Sequence, residues 1–360
     1  MTCGAQRGPV PDGAQMHPDR VCRRATLRVS VVYPSAAPKN SSVAQQRRLR
    51  WMREAVVAVL LALVGPAEAA AGEREPDLVI DVHRHTTPFG ASIKERTEGI
   101  AKTLADMEAN GIELAVVQGF DPETIAAYRS ALDKRAVFGA SFPCWRLATG
   151  VEITCGWDRG NWPSVEWIRK AFMSGEIGFL GELLFAYSGV SPLDPRMEPY
   201  WALADELGIP VGVHLTPGPP PGAGPRRDPA CCPDFDLELG HPDQFRPVLE
   251  KYPNLKLLLQ HAGDADETHD FSDATMQLVE DYPGVYVDLS VVHSLAPAEE
   301  FDELVRGFVR RGLVDRVMLG SDGLPVAPAV ERYQSLGFLT DADKRAILRG
   351  NAQRFLDHGD

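Results

Sequence analysis

The sequence predicts a (β/α)₈ barrel over residues 76–357, and three observations carry that prediction. Eight short runs rich in Val, Ile, Leu and Phe alternate with longer amphipathic stretches. The runs are nearly continuous in apolar residues, as strands of a parallel sheet covered by helices must be. Histidines and acids collect at the ends of the runs, where a barrel keeps its chemistry. A doubly wound sheet is the competing architecture. No G-x-G-x-x-G follows a strand, which argues against its dinucleotide-binding version.

The first strand is read over 78–85, and helical text over 91–110 stops at Asn110-Gly111. A regular strand would put Val79, Asp81, His83 and His85 on one face and Ile80 and Val82 on the other. The second strand, 114–120, precedes a helix over 122–134, and the third, 136–143, precedes one over 163–174. The fourth strand, 177–187, leads to a helix over 195–207 that stops at Leu207-Gly208. The fifth, 210–216, runs into a Pro- and Gly-rich stretch over 216–233, placed where substrate loops belong. A helix over 242–251 follows. The sixth strand, 255–263, precedes a helix over 272–282. The seventh, 285–291, precedes one over 297–311 that stops at Arg311-Gly312. The eighth strand is read over 316–322.

The first seventy residues read differently. Residues 1–51 lack periodicity and are rich in Arg, Pro, Ser and Gln, as a misassigned or disordered extension would be. Over 52–71, Met52-Arg53, an apolar run from Ala55 to Gly65 and A-x-A sites at 67–69 and 69–71 form the three parts of a secretory signal peptide. The run is short for a membrane span. The expectation is a start at Met52, export to a periplasmic or extracellular space, and no stable membrane anchor after cleavage. A basic tail followed by a buried or interfacial helix is the alternative.

The formal charge of −13 hides an asymmetry, because residues 1–71 hold ten Lys/Arg and four acids. That leaves 27 basic and 46 acidic residues in 72–360, a net of −19. Such a body repels nucleic acid. A small molecule is the expected partner, and a homo-oligomer stays open. Four cysteines lie in the body, at 144, 155, 231 and 232. Pairing adjacent Cys231 with Cys232 would be strained. A bridge between the 144–155 and 231–232 loops is therefore expected, with free thiols as the alternative.

The strand ends form a set. Asp81, His83 and His85 end the first, Glu182 lies on the fourth, His214 ends the fifth, His261 the sixth and Asp322 the eighth. Neutral imidazole and carboxylate are ligands for Zn²⁺ and other first-row metals. Singly, each has a plainer role: His214 as a core histidine, His261 as a cap, Asp322 as a turn residue in Ser-Asp-Gly. His241 reads as a helix cap, His269 as part of a solvated loop, His293 as a pocket-lining candidate, and Trp145 and Tyr187 as packing.

The D-x-H-x-H of Asp81, His83 and His85, with His214, the Gln260-His261-Ala262-Gly263 run, Gly320-Ser321-Asp322 and the closing Asn351-Ala352-Gln353-Arg354-Phe355-Leu356, resembles the amidohydrolase superfamily. The similarity is to its amidohydrolase-2 branch, which includes aminocarboxymuconate-semialdehyde decarboxylase. The resemblance implies one or two divalent ions, Zn²⁺ foremost, and a bound water activated to cleave an amide, ester or lactone. His83, His85 and His214 would bind the principal ion. Asp322 would be a further ligand or take the water's proton, and His261 would orient the water. Glu182 would bridge two ions, with His214 and His261 on the second, or else lie behind the ligands or pair with an arginine. Asp81 would hold one imidazole in its tautomer. Non-oxidative decarboxylation and an inactive metal-binding barrel are the alternatives to hydrolysis.

Overall fold

The structure, a computed structural model, describes residues 78–145, 155–157, 162–215, 233–262 and 271–357. Eight strands follow one another around a single sheet in sequence order. They are β1 Val79–His85, β2 Ile112–Gly119, β3 Ala136–Phe142, β4 Phe179–Leu183, β5 Val211–His214, β6 Leu257–Gln260, β7 Val285–Asp288 and β8 Val317–Met318. All seven neighbouring pairs are parallel. Just past β8, Leu319 O accepts from Val82 N at 2.9 Å and ties the end of the ring to its beginning. The fold is the (β/α)₈ barrel.

Local chemistry explains the helices between the strands. Helix α1, Ile93–Ala109, opens on a capping box in which Ser92 and Glu95 satisfy each other's backbone N–H. Helix α2, Pro122–Leu132, opens on Asp121, whose carboxylate accepts from Thr124 N at 2.8 Å, with proline in the first turn. The helix Glu198–Leu207 stops at Gly208, which takes the left-handed φ of 66°. The stretch 242–251 starts as a 3₁₀ turn over Pro242–Phe245 and becomes α-helical over Arg246–Lys251.

Two apolar clusters divide the strands' faces. Ile80, Val82, Val116, Phe179, Leu258 and Met318 pack together with Ala352 and Phe355 of the closing helix. Drawn from five strands, they fill the inside of the ring, as barrel layers do. Val79, Ala115, Val117, Leu180, Val211, Leu257 and Val285 belong to the cluster beneath the helices. Regular alternation along β1 fails near its end. The register with β2 shifts between Asp81 and Arg84, and His83 turns to Asp288 on β7 although Val82 beside it packs in the inner cluster. A bulge places an extra residue on one strand and re-aims a side chain. Asp81 and His83 therefore do not share a face as expected.

Strands β4 to β8 are all shorter than expected, and the chain shows why β4 and β8 stop early. After Leu183 the chain turns into the short helix Phe185–Ser188, held by Ser188 N to Leu184 O at 3.1 Å, so Tyr187 is not on β4. Beyond Met318 the chain leaves the ladder, because Ser321 N and Asp322 N both donate to His83 O, at 3.2 and 2.7 Å. The expected cysteine bridge between two loops is also corrected: Cys144 pairs with Cys155, Cα atoms 5.5 Å apart, within one connection. Cys231 and Cys232, the extension over 1–51, the leader-like segment 52–71, His269 and residues 216–232 lie outside the described residues. Among the described residues no helix is long and apolar enough to cross a membrane.

Candidate metal centre

The strand-end residues converge at the C-terminal mouth of the barrel. His83 Nε2 and His85 Nε2 lie 3.2 Å apart, and Asp322 Oδ1 is 3.6 Å from the first and 3.0 Å from the second. Donors at about 2.0–2.2 Å from a tetrahedral ion are roughly 3.3–3.6 Å from one another. The three atoms are spaced to share an ion. Glu182 joins this group from below: its Oε2 is 3.4 Å from His85 Nε2 and its Oε1 3.9 Å from His83 Nε2. The same Oε1 is 3.1 Å from His261 Nε2 and in close contact with His214 Nδ1. One carboxylate thus faces two sets of imidazoles.

Each side chain is held from behind. Glu182 N donates to Ser141 Oγ at 2.9 Å, and that hydroxyl donates to Gly181 O, so β3 fixes the end of β4. His83 Nδ1 donates to Asp288 Oδ2 at 3.1 Å, which directs Nε2 toward the cluster. His261 Nδ1 lies 3.2 Å from Ser290 O and 3.0 Å from Ser290 Oγ, while its Nε2 faces Glu182. Ser290 N in turn donates to Asp288 Oδ1 at 2.9 Å. His261 and Asp322 both adopt positive φ, 58° and 54°, a backbone state that non-glycine residues rarely take and that concentrates at functional sites.

Asp81 has another task. Its carboxylate accepts from His83 N at 3.2 Å, Arg84 Nη1 at 3.1 Å, Ser321 N at 3.0 Å and Ser321 Oγ at 2.7 Å. It pins the bulge to the turn that carries Asp322, and it holds no imidazole ring. That role belongs to Asp288, at the polar end of β7. The signal was in the sequence, since 285–288 is an apolar run closing on a carboxylate like the other strand ends. His293 is buried with Nε2 on Gly320 O at 3.1 Å, which makes it a strut rather than a pocket residue. His241 caps its helix, Nδ1 accepting from Asp243 N at 3.3 Å.

The electrostatics favour a cation. Burial would lower the pKa of His83, but the carboxylates of Asp288, Glu182 and Asp322 outweigh it and push the ring up to about 10. Burial would raise Glu182, yet the surrounding His214, His261 and His83 hold it well below the usual carboxylate range. Burial lowers His214 against the pull of Glu182. His261 is raised, because its bond to Glu182 and the charge of Asp322 overcome burial. Buried carboxylates this dense demand positive charge, as protons or as a metal ion that displaces them. His214 Nε2 is buried without a partner, a further donor atom available to a ligand. The donor set therefore fits a divalent ion.

Asp288→Asn tests how much the support behind His83 matters. It is expected to weaken metal binding by about 10–100-fold, the usual cost of losing such a partner. Competition against a chromophoric chelator reads the affinity, with circular dichroism as the check on folding. Affinity within twofold of wild type would show that Asp288 does not govern His83.

The fold and centre define a barrel with a potential His/carboxylate metal site at its strand ends. The amidohydrolase family model matches residues 80–357, and the chain belongs to that family, a family of enzymes. Solved structures share the fold. A probable 2-pyrone-4,6-dicarboxylic acid hydrolase from Acinetobacter baumannii is 13% identical, with a TM-score of 0.55 over 77% of this chain and 98% of that one. A 5-carboxyvanillate decarboxylase from Novosphingobium aromaticivorans with bound manganese is 15% identical, TM-score 0.52, over 78% and 97%. A 4-oxalomesaconate hydratase from Rhodopseudomonas palustris is 16% identical, TM-score 0.51, over 78% and 96%. No curated protein matches the sequence.

Proposed function

We propose that the protein is a metal-dependent hydrolase of small amides, esters or lactones that holds two divalent ions, zinc foremost. The observation that carries this reading is the placement of Glu182. Its Oε2 faces His85, beside Asp322, and its Oε1 faces His214 and His261. A carboxylate set among four imidazoles, with Oε2 toward His85 and Oε1 toward His214, His261 and, at 3.9 Å, His83, is suited to bridging. His83, His85 and Asp322 would hold one ion, and His214 and His261 the other. When bound, such ions lower the pKa of a coordinated water and polarise the scissile group. The chain's own contribution is orientation. Asp288 and Ser290 hold the neighbouring rings of His83 and His261 with their Nε2 atoms toward Glu182, and Asp322 supplies a carboxylate, 28% exposed, that can accept a proton.

Export is part of the same proposal, supported by the Cys144–Cys155 bridge, since disulfides persist in oxidising compartments. One experiment addresses both. Protein recovered from the exported fraction is weighed by mass spectrometry, assayed for metal, and screened on ester, lactone, amide and aromatic carboxylate substrates. Two ions per chain, an N-terminus near residues 70–72 and a hydrolytic product are expected. CO₂ release without a hydrolytic product would replace the hydrolase with a decarboxylase, and full metal without turnover would leave a metal-binding barrel.

A further inference from the structure

Tyr187 stands five residues beyond Glu182, and its backbone is pinned. It lies in the helix Phe185–Ser188, whose end at Gly189 packs so closely on the loop of Phe235 that a Cβ there would sit 2.5 Å from Asp234 O. Asp236 N donates to Ala186 O at 2.9 Å from the same loop. The Tyr187 ring is 4.4 Å from the His214 ring, 5.5 Å from Trp145 and 6.3 Å from Phe235, centroid to centroid. Phe120 extends this wall, stacked at 5.7 Å on His85 and 6.1 Å from Trp145. An apolar wall therefore runs from one proposed ligand to another.

The hydroxyl of Tyr187 has no place in the wall. A buried phenol normally engages its hydroxyl with a partner inside the protein, as donor or acceptor. Tyr200 donates to Pro163 O at 2.8 Å, and Tyr128 accepts from Thr87 N at 3.1 Å. Tyr187 is only 6% exposed, and its hydroxyl makes no hydrogen bond to a described residue yet is not sealed away as that of Tyr333 is. Tyr333 is also unpartnered, but it is wholly sealed and packs on Phe301 beneath the helices, out of a ligand's reach. The Tyr187 ring contacts that of His214, whose Nδ1 meets Glu182, and so lies beside the centre.

We propose that the Tyr187 hydroxyl donates a hydrogen bond to an oxygen of the substrate's scissile group, while the substrate's apolar body lies on the wall of Phe120, Trp145 and Phe235. This rests on the hydrolase reading above. It makes Tyr187 a catalytic residue by contact with substrate, and it sets the preferred substrate as one with a flat apolar group next to the bond cleaved.

The test uses the metal-loaded protein and two tetrahedral oxyanion probes, methylphosphonate and phenylphosphonate, with calorimetry for binding. Tyr187→Phe keeps the ring and removes only the hydroxyl. It should hold the same metal and melt at the same temperature. It should bind both probes about 10-fold more weakly and lose roughly 10²–10³-fold in kcat/KM. Phe235→Leu should weaken phenylphosphonate and leave methylphosphonate unchanged. Equal binding of both probes by Tyr187→Phe and wild type, with metal present, overturns the role of Tyr187 and leaves the hydrolase reading standing. A wild-type sample that takes up no metal overturns that reading and this inference with it.

Discussion

Glu182→Gln is expected to lower bound metal from two ions to one and turnover by at least about 10²-fold, since each lost tenfold needs only ~1.4 kcal/mol and a metal ion stabilises charge by several. Glutamine keeps the length of the side chain but loses the negative charge that His214, His261, His83 and His85 surround. Its amide can present one oxygen to one ion, and its NH₂ faces the other half. Metal analysis at saturating zinc reads the first effect and the hydrolytic assay the second. Thermal unfolding guards against collapse of the site, because Glu182 is buried and its removal strips two imidazoles of a partner. A wild-type content of one ion, still held by His261→Ala, would rule out bridging. His261 would then move from ligand to catalytic group, with its ring set by Ser290.

The barrel was legible because its strands are short apolar runs with polar ends and its helices carry their own start and stop signals, such as Ser92 with Glu95 and Leu207 with Gly208. The convergence of His83, His85, His214, Glu182, His261 and Asp322 followed from one rule, that strand ends meet at one mouth. What the sequence hid was local. A bulge cannot be read from period-2 alternation, so alternation alone puts the inward-turned His83 and the outward-turned Asp81 on one face. The apolar text of Phe185-Ala186-Tyr187 fits a strand and a buried turn of helix equally well, and only packing on the loop at 234–236 selects the helix. Cysteine spacing gives no connectivity, so the short bridge Cys144–Cys155 emerged only from the fold. Asp288 falls outside the set of histidines and acids read from the strand ends, although it too closes a strand.

Asp322→Asn is expected to lower turnover by about 10²–10⁴-fold, the range for removing a general base, while most of the metal stays bound. Asparagine keeps the shape and one oxygen, and it tolerates the positive φ of 54° at this position as well as aspartate does. The carboxylate is well placed for both duties, with Oδ1 3.0 Å from His85 Nε2 and more of its surface open than any other member of the cluster. Burial would raise its pKa, but the bond from His85 and the charges of His83 and His261 hold it below the usual carboxylate range. The sign of the pH effect follows. Activity that needs the ionised carboxylate is present above its pKa and is lost as pH falls through it, so the acidic limb of wild type belongs on the low side of an ordinary aspartate and should vanish in the variant. Stability runs the same way in metal-free protein. The lowered carboxylate contributes above the unfolded value of about 3.9, and that contribution is lost at lower pH in wild type and absent throughout in Asp322→Asn. Loss of metal in parallel with turnover would make Asp322 a ligand rather than a base. Near-native turnover with an unchanged acidic limb would remove it from both roles and leave the chemistry to Glu182 and the four histidines.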